Sequence, residues 1–238
     1  MLRLVVLSDI HGNRWALDAV LADVERQPPD RYVVLGDLVA DGPDPAGTLA
    51  RLRGLPNVTF VQGNTDRYLS DLSAVEDPHS EWSDLIATWQ WAADCVGDEG
   101  RQFLSGLPTD AFLDTPAGPV LATHGLPGHD ERWIEPKGAG DLETLEWHGT
   151  RLMLVGHSHI PFVLRGERGT VVNPGSVGLS PQTHWRASYA RLDLLPGGQV
   201  AVQHRQVEWD VKAYLAAFED GIPLNRKAAP MLDALSVR

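Results

Sequence analysis

Seven residues of this chain with side chains suited to holding cations or moving protons closely follow apolar runs. LRLVVL (2–7) leads into Asp9-Ile10-His11, and YVVLG (32–36) leads into Asp37. VTFVQG (58–63) runs into Asn64, PVLATH (119–124) ends in His124, and RLMLVGH (151–157) delivers His157-Ser158-His159. A lone Asp-x-His reads as a capped turn, and a lone Asn after Gly reads as a turn residue. The repetition is what carries weight, because each of five strand-like runs ends in a carboxylate, an imidazole or an amide.

The set suits borderline divalent metals, since it offers imidazole and carboxylate without thiolate. Two carboxylates, four imidazoles and one amide exceed the needs of one tetrahedral zinc ion. They suffice for two ions that share a carboxylate, an arrangement that can activate water and clamp a phosphoryl group.

For these residues to meet, the runs must lie side by side. Runs 2–7, 32–36 and 58–63 read as buried strands. Between them, residues 14–26 place Leu17, Val20, Leu21 and Val24 on one helical face, and Asp44-Pro45 opens a second helix that closes at Gly54. Alternating strands and helices predict βαβ units and a largely parallel sheet, whose ligands gather beyond the carboxyl ends of the strands. Residues 71–105 form a helical excursion with Trp82, Leu85, Ile86, Trp89 and Ala93 at helical spacing, read as core-facing aromatics with a lid as the alternative. The second half is richer in strands, with hairpins turning at 166–169 and 196–198. Short terminal helices are expected over 210–220 and 223–235.

At 238 residues the chain is read as a single domain, 1–238, with no repeat or linker. Its net charge of −12 argues against a duplex nucleic-acid binder, while leaving room for a phosphorylated small molecule whose charge bound cations would offset. One cysteine, Cys95, rules out an internal disulfide framework, and LRLVVL is a poor signal peptide, so a cytoplasmic protein without membrane association is expected.

Asp9-Ile10-His11, Gly36-Asp37, Gly63-Asn64-Thr65-Asp66, Thr123-His124-Gly125 and Gly156-His157-Ser158-His159 together resemble the five blocks of the calcineurin-like metallophosphoesterases. Asn173-Pro174-Gly175-Ser176-Val177-Gly178 is similar to a downstream stretch of the small prokaryotic phosphodiesterase and phosphoesterase branch of that family. The resemblance implies an α/β, four-layer α-β-β-α sandwich of two mixed sheets flanked by helices. It implies one ion held by Asp9, His11, Asp37 and His159, and another held by Asp37, Asn64, His124 and His157. Asp37 would bridge, and a hydroxide between the ions would attack a phosphate ester, leaning to phosphodiesters. Manganese is the favoured metal among Mn, Fe, Zn, Ni and Co, and homodimers or higher homo-oligomers are expected. Asp37, Asn64, His124 and Asp66 form the expected catalytic set. Asn13, Arg14 and His129 join Asn64 as expected substrate contacts, with helix capping an equal account of Asn13.

The chain departs from the family at Thr65, where relatives carry a histidine that assists the departing oxygen. A threonine hydroxyl is too weak an acid for that task, and general acid catalysis is worth roughly 10²–10⁴-fold. The alternatives to a phosphodiesterase are a protein serine/threonine phosphatase or dinucleoside-polyphosphate hydrolase, and a non-catalytic interaction module such as a eukaryotic retromer subunit of the same fold.

Overall fold

The computed structural model describes residues 1–72, 83–136, 142–218 and 222. Ten strands form two five-stranded sheets. They are β1 (Leu2–Leu7), β2 (Arg31–Val34), β3 (Val58–Phe60), β4 (Asp110–Leu113), β5 (Val120–Thr123), β6 (Leu152–Leu154), β7 (Pro161–Arg165), β8 (Thr170–Pro174), β9 (Ala187–Leu195) and β10 (Gln199–Val207). The helices are α1 (Arg14–Val24), α2 (Pro45–Arg53), α3 (Asn64–Ser70), α4 (Ser83–Ser105) and α5 (Val211–Ala216).

The first sheet runs β10-β9-β1-β2-β3 and the second β4-β5-β6-β8-β7. Both are mixed: β1, β2 and β3 are parallel while β9 returns antiparallel along β1. Likewise β5, β6 and β8 are parallel, with β4 and β7 antiparallel on the edges. Strand side chains alternate between faces, so a strand buried on both sides reads as an unbroken apolar run. In β1, Val5 and Leu7 pack under α1, α2, α3 and α4, while Leu4 and Val6 face the second sheet. The core between the sheets takes Val33, Leu35 and Val61 from one side and Val120, Ala122, Leu152, Leu154 and Val172 from the other. On its outer face the second sheet is covered by Ile134, Leu142, Leu145 and Trp147.

The helix ends behave as their sequences dictate. Asn13 caps α1 by accepting the Ala16 amide, and Asp44 caps α2 by accepting that of Gly47. Within 71–105 the described helix is broken at Gly97, whose backbone leaves the helical region at φ 67° and ψ −175°. Trp89 is fully buried and stacks on Tyr68 at 4.9 Å, so this part of the excursion is core rather than lid. Trp82 and the expected helix over 223–235 lie outside the described residues. No helix among the described residues is long and apolar enough to cross a membrane.

Candidate metal centre

The strand-end loops interlock through their backbones. Asp9, Ile10, His11 and Gly12 donate amides to the carbonyls of Gly36, Asp37 (twice) and Leu38, stitching the end of β1 to the end of β2. Val177 and Gly178 donate to Ser8 and Asp9, and Gly156 donates to His124, which brings in the ends of β8, β6 and β5. Asp9, His11, Asp37, His157 and His159 all adopt positive φ, between 48° and 62°. Left-handed backbone costs a non-glycine residue about 1–2 kcal/mol. Five such residues in one cluster approach the whole net stability of a domain, about 5–15 kcal/mol. Only the interlocked loops can hold them there, and strain concentrated in this way is characteristic of functional sites.

Two groups of ligand-type atoms result, Asp9–His11–His159 and Asp37–His124–His157. In the first, His11 Nε2 and His159 Nε2 lie 3.2 Å apart. His159 Nδ1 faces the Leu179 carbonyl at 2.7 Å and His11 Nδ1 faces Asp41 Oδ2 at 3.5 Å. With tautomers assigned from these acceptors, both Nδ1 atoms carry the proton and both Nε2 lone pairs point inward. Asp9 Oδ1, without a hydrogen-bond donor among the described residues, joins them at 3.3 Å from His159 Nε2. In the second group His124 Nδ1 faces the Leu35 carbonyl at 2.6 Å. Its Nε2 meets Asn64 Oδ1 at 3.2 Å and His157 Nδ1 at 3.1 Å.

Asp37 stands between the groups: Oδ2 is 3.7 Å from His11 Nε2 and Oδ1 is 3.6 Å from His124 Nε2. Lone pairs converging this closely repel unless a proton or a cation lies between them. Two cations would turn that repulsion into coordination, so the donor set fits a pair of divalent ions with Asp37 shared. The titration behaviour says the same thing. Burial, the largest influence on His11, opposes its charging, yet the hydrogen bond to Asp41 and the charges of Asp37, Asp41 and Asp9 raise it to about 9. A metal ion at this place would take over that field and displace the proton, so binding would weaken as pH falls. Burial also opposes ionisation of Asp9, but His159 above all, with His124 and His11, holds its carboxyl far below the usual range.

Thr65 does not face outward. It is buried, its amide lies 3.0 Å and its hydroxyl 2.8 Å from Asp37 Oδ1, and both donate to that oxygen. Asp66, expected in the catalytic set, is a correction: its oxygens accept the amides of Asp37, Leu38 and Gly63 at 2.9, 2.9 and 3.0 Å, beneath the site. It fixes the turn that presents Asp37. Burial and the charge of Asp37 push Asp66 up to about 7 against the pull of the amides. Cations beside Asp37 would act in the opposite sense and favour the carboxylate that three N–H donors require.

The expected substrate contacts have other partners in the structure. Asn13 is fully buried, with its oxygen capping α1 and its nitrogen on the Gly178 carbonyl, which is the helix-capping account of this residue. Arg14 is committed to Asp44 and Asp18. His129 is exposed and contributes its backbone to a tight loop with Leu126. Its neighbour Trp133 reaches the centre instead, with its ring 5.4 Å from that of His157.

Sequence reasoning passed over two more contributors. Asp41, itself at φ 72°, links His11 to the indole N–H of Trp89, which lies 3.1 Å from Asp41 Oδ1. Its signal was a second carboxylate one short loop after Asp37. Asn173 donates to the Gly156 carbonyl and the Ser158 hydroxyl, bracing the turn that carries His157 and His159.

A mixed two-sheet fold with paired His/Asp groups at the strand ends defines a class of metal-dependent hydrolases, and comparison with known proteins agrees. Residues 2–196 match the calcineurin-like phosphoesterase superfamily domain, and the chain belongs to that family. It is similar to a metallophosphoesterase from Sphaerobacter thermophilus, 25% identical with a TM-score of 0.78 over 98% of this chain and 99% of that one. It also shares its fold with a hypothetical protein from Pyrococcus horikoshii OT3, 23% identical with a TM-score of 0.84 over 96% and 97% of the two chains. A protein of Methanocaldococcus jannaschii described as uncharacterized is 29% identical over 92% of this chain and 93% of its own length.

Proposed function

We propose that this protein is a binuclear metal-dependent phosphoesterase acting on small phosphate esters, with diesters preferred. The observation that carries the reading is Asp37, whose two oxygens face one candidate ion group each. Two divalent ions, when bound, would supply positive charge to phosphoryl oxygens and make water acidic near neutral pH. The chain's own residues do the rest. Asp9, His11 and His159 would hold one ion, Asp37 would be shared, and Asn64, His124 and His157 would hold the other. Asp66 and Thr65 fix the Asp37 carboxylate, and Asp41 fixes His11.

With Thr65 bonded to Asp37, position 65 supplies no proton to a departing alkoxide. This favours esters with stable leaving groups, such as aryl oxides, over alkyl esters and protein phosphoserine. Manganese is the metal we favour. We read the protein as cytoplasmic and homo-oligomeric; its single cysteine fits the first reading, and its net charge of −12 argues against duplex nucleic acid as a partner. The test is hydrolysis of bis-p-nitrophenyl phosphate with added manganese, lost in Asp37→Ala and His157→Ala. Absence of turnover with every divalent metal, in protein shown to bind two ions, would refute the enzymatic reading.

A further inference from the structure

Trp133 is more than half exposed, at 53%, although other tryptophans of this chain, such as Trp89 and Trp147, are buried. A single exposed aromatic residue is ordinary on a protein surface, but this one lies beside the buried polar cluster. The ring is tilted 45° against His157, with the centroids 5.4 Å apart, and His157 in turn lies against His124. A phosphoryl group bound at Asp37–His124–His157 would have this indole as its neighbour.

The loop that carries Trp133 is tied to the fold on both sides. Arg67 on α3 forks onto Asp130 at 2.8 and 3.1 Å and reaches Glu131 at 2.7 Å, while Tyr68 donates to Glu131. The Leu126 amide closes the loop onto the carbonyls of His129 and Arg132, and Ile134 on the other side is buried in the core under the second sheet. The short helix that anchors this loop begins at Asn64, so a ligand-type residue and the mount of the indole share one element.

We propose that Trp133 is a specificity-determining residue, whose indole is the wall against which an aryl or similarly flat apolar substituent of the phosphate ester stacks. The proposal rests on the phosphoesterase reading for its substrate class. It agrees with Thr65, since a site that gives no proton from position 65 suits the aryl oxides such a wall would select. A purely shielding role, with the indole merely covering the His157 imidazole, would affect all ligands alike.

Calorimetric binding of phenylphosphonate and methylphosphonate to the manganese-loaded protein separates the two. Stacking of a ring on an aromatic side chain predicts that Trp133→Ala weakens phenylphosphonate about tenfold, and that Trp133→Phe restores most of the loss. Methylphosphonate, which also reports on the integrity of the site, changes less than about twofold. In turnover, Trp133→Ala raises KM for bis-p-nitrophenyl phosphate and for methyl p-nitrophenyl phosphate, since both carry an aryl leaving group. Equal weakening of the two phosphonates, no change in either, or no preference for the phenyl ligand in the wild type would overturn the proposal. Ring discrimination in binding without any turnover would contradict the hydrolytic reading and leave the role of Trp133 standing.

Discussion

Asp37 offers one oxygen to each half of the cluster, so removing it should unmake both halves. Thr65 and Asp41 act one step back. Partners that orient ligands typically contribute 10–100-fold to metal affinity or activity. Thr65→Val, which loses the hydroxyl bonded to Asp37, is expected to lower manganese affinity by about 10–100-fold, with Thr65→Ser close to wild type. The loss should be the same for aryl and alkyl esters. A loss confined to alkyl leaving groups in steady-state kinetics would show instead that position 65 faces the departing oxygen. Asp41→Asn is expected to weaken metal binding by a similar factor and, in the metal-free protein, to lower the titration point of His11 seen by NMR. The ligand-type residues were legible in the sequence because each ends an apolar run. The cap at Asn13 was legible as one of two accounts, but the roles of Thr65 and Asp66 were not, because a hydroxyl or carboxylate next to a ligand looks identical whether it faces solvent or turns under to grip a backbone.

At the scale of elements, the site exists because β1, β2 and β3 end together and their loops share hydrogen bonds. Gly63 makes a close approach to the shared carboxylate. A Cβ there would sit 2.3 Å from Asp37 Oδ1 and 2.4 Å from its amide nitrogen. Gly36, at φ 86°, would place one 2.4 Å from the Gly63 nitrogen. Both clashes are with fixed groups that cannot swing aside. Gly63→Ala is therefore expected to lose metal binding, and Gly36→Ala to lower the melting temperature by several degrees, since strain of this kind exceeds about 1 kcal/mol. Circular dichroism melts and metal titrations check both. The parallel strands, their helices and both hairpins could be read in advance from periodicity, capping residues and turn glycines. The pairing of β9 along β1 could not, because strand partners are chosen by faces brought together only in three dimensions. The break at Gly97 and the edge strand β4 were missed for a simpler reason: a glycine within a helical pattern and a four-residue strand with only Leu113 buried give weak local signals.

For the whole molecule, the first sheet is tied to α1 by Asp23, which accepts the Tyr189 hydroxyl at 2.7 Å and a fork from Arg205 at 2.9 and 3.1 Å. Burial opposes ionisation of Asp23, but Tyr189 and Arg205 outweigh it and hold its carboxyl below the ordinary value. A carboxylate depressed in this way stabilises the fold above its unfolded pKa, about 3.9, and the contribution is lost as pH falls through the lower folded value. Melting temperature should therefore fall below about pH 4, and Asp23→Asn should flatten that fall while lowering stability near neutral pH by about 1–3 kcal/mol. Bound ions should add to the native state alone, with about 2.7 kcal/mol of stabilisation at a hundredfold excess over the dissociation constant, removed by a chelator. The most direct measurement of the central claim is calorimetric titration of metal-free protein with manganese. The account predicts two ions per chain in the wild type and at most one, more weakly held, in Asp37→Ala. A single site in the wild type, or two sites indifferent to Asp37, would contradict it.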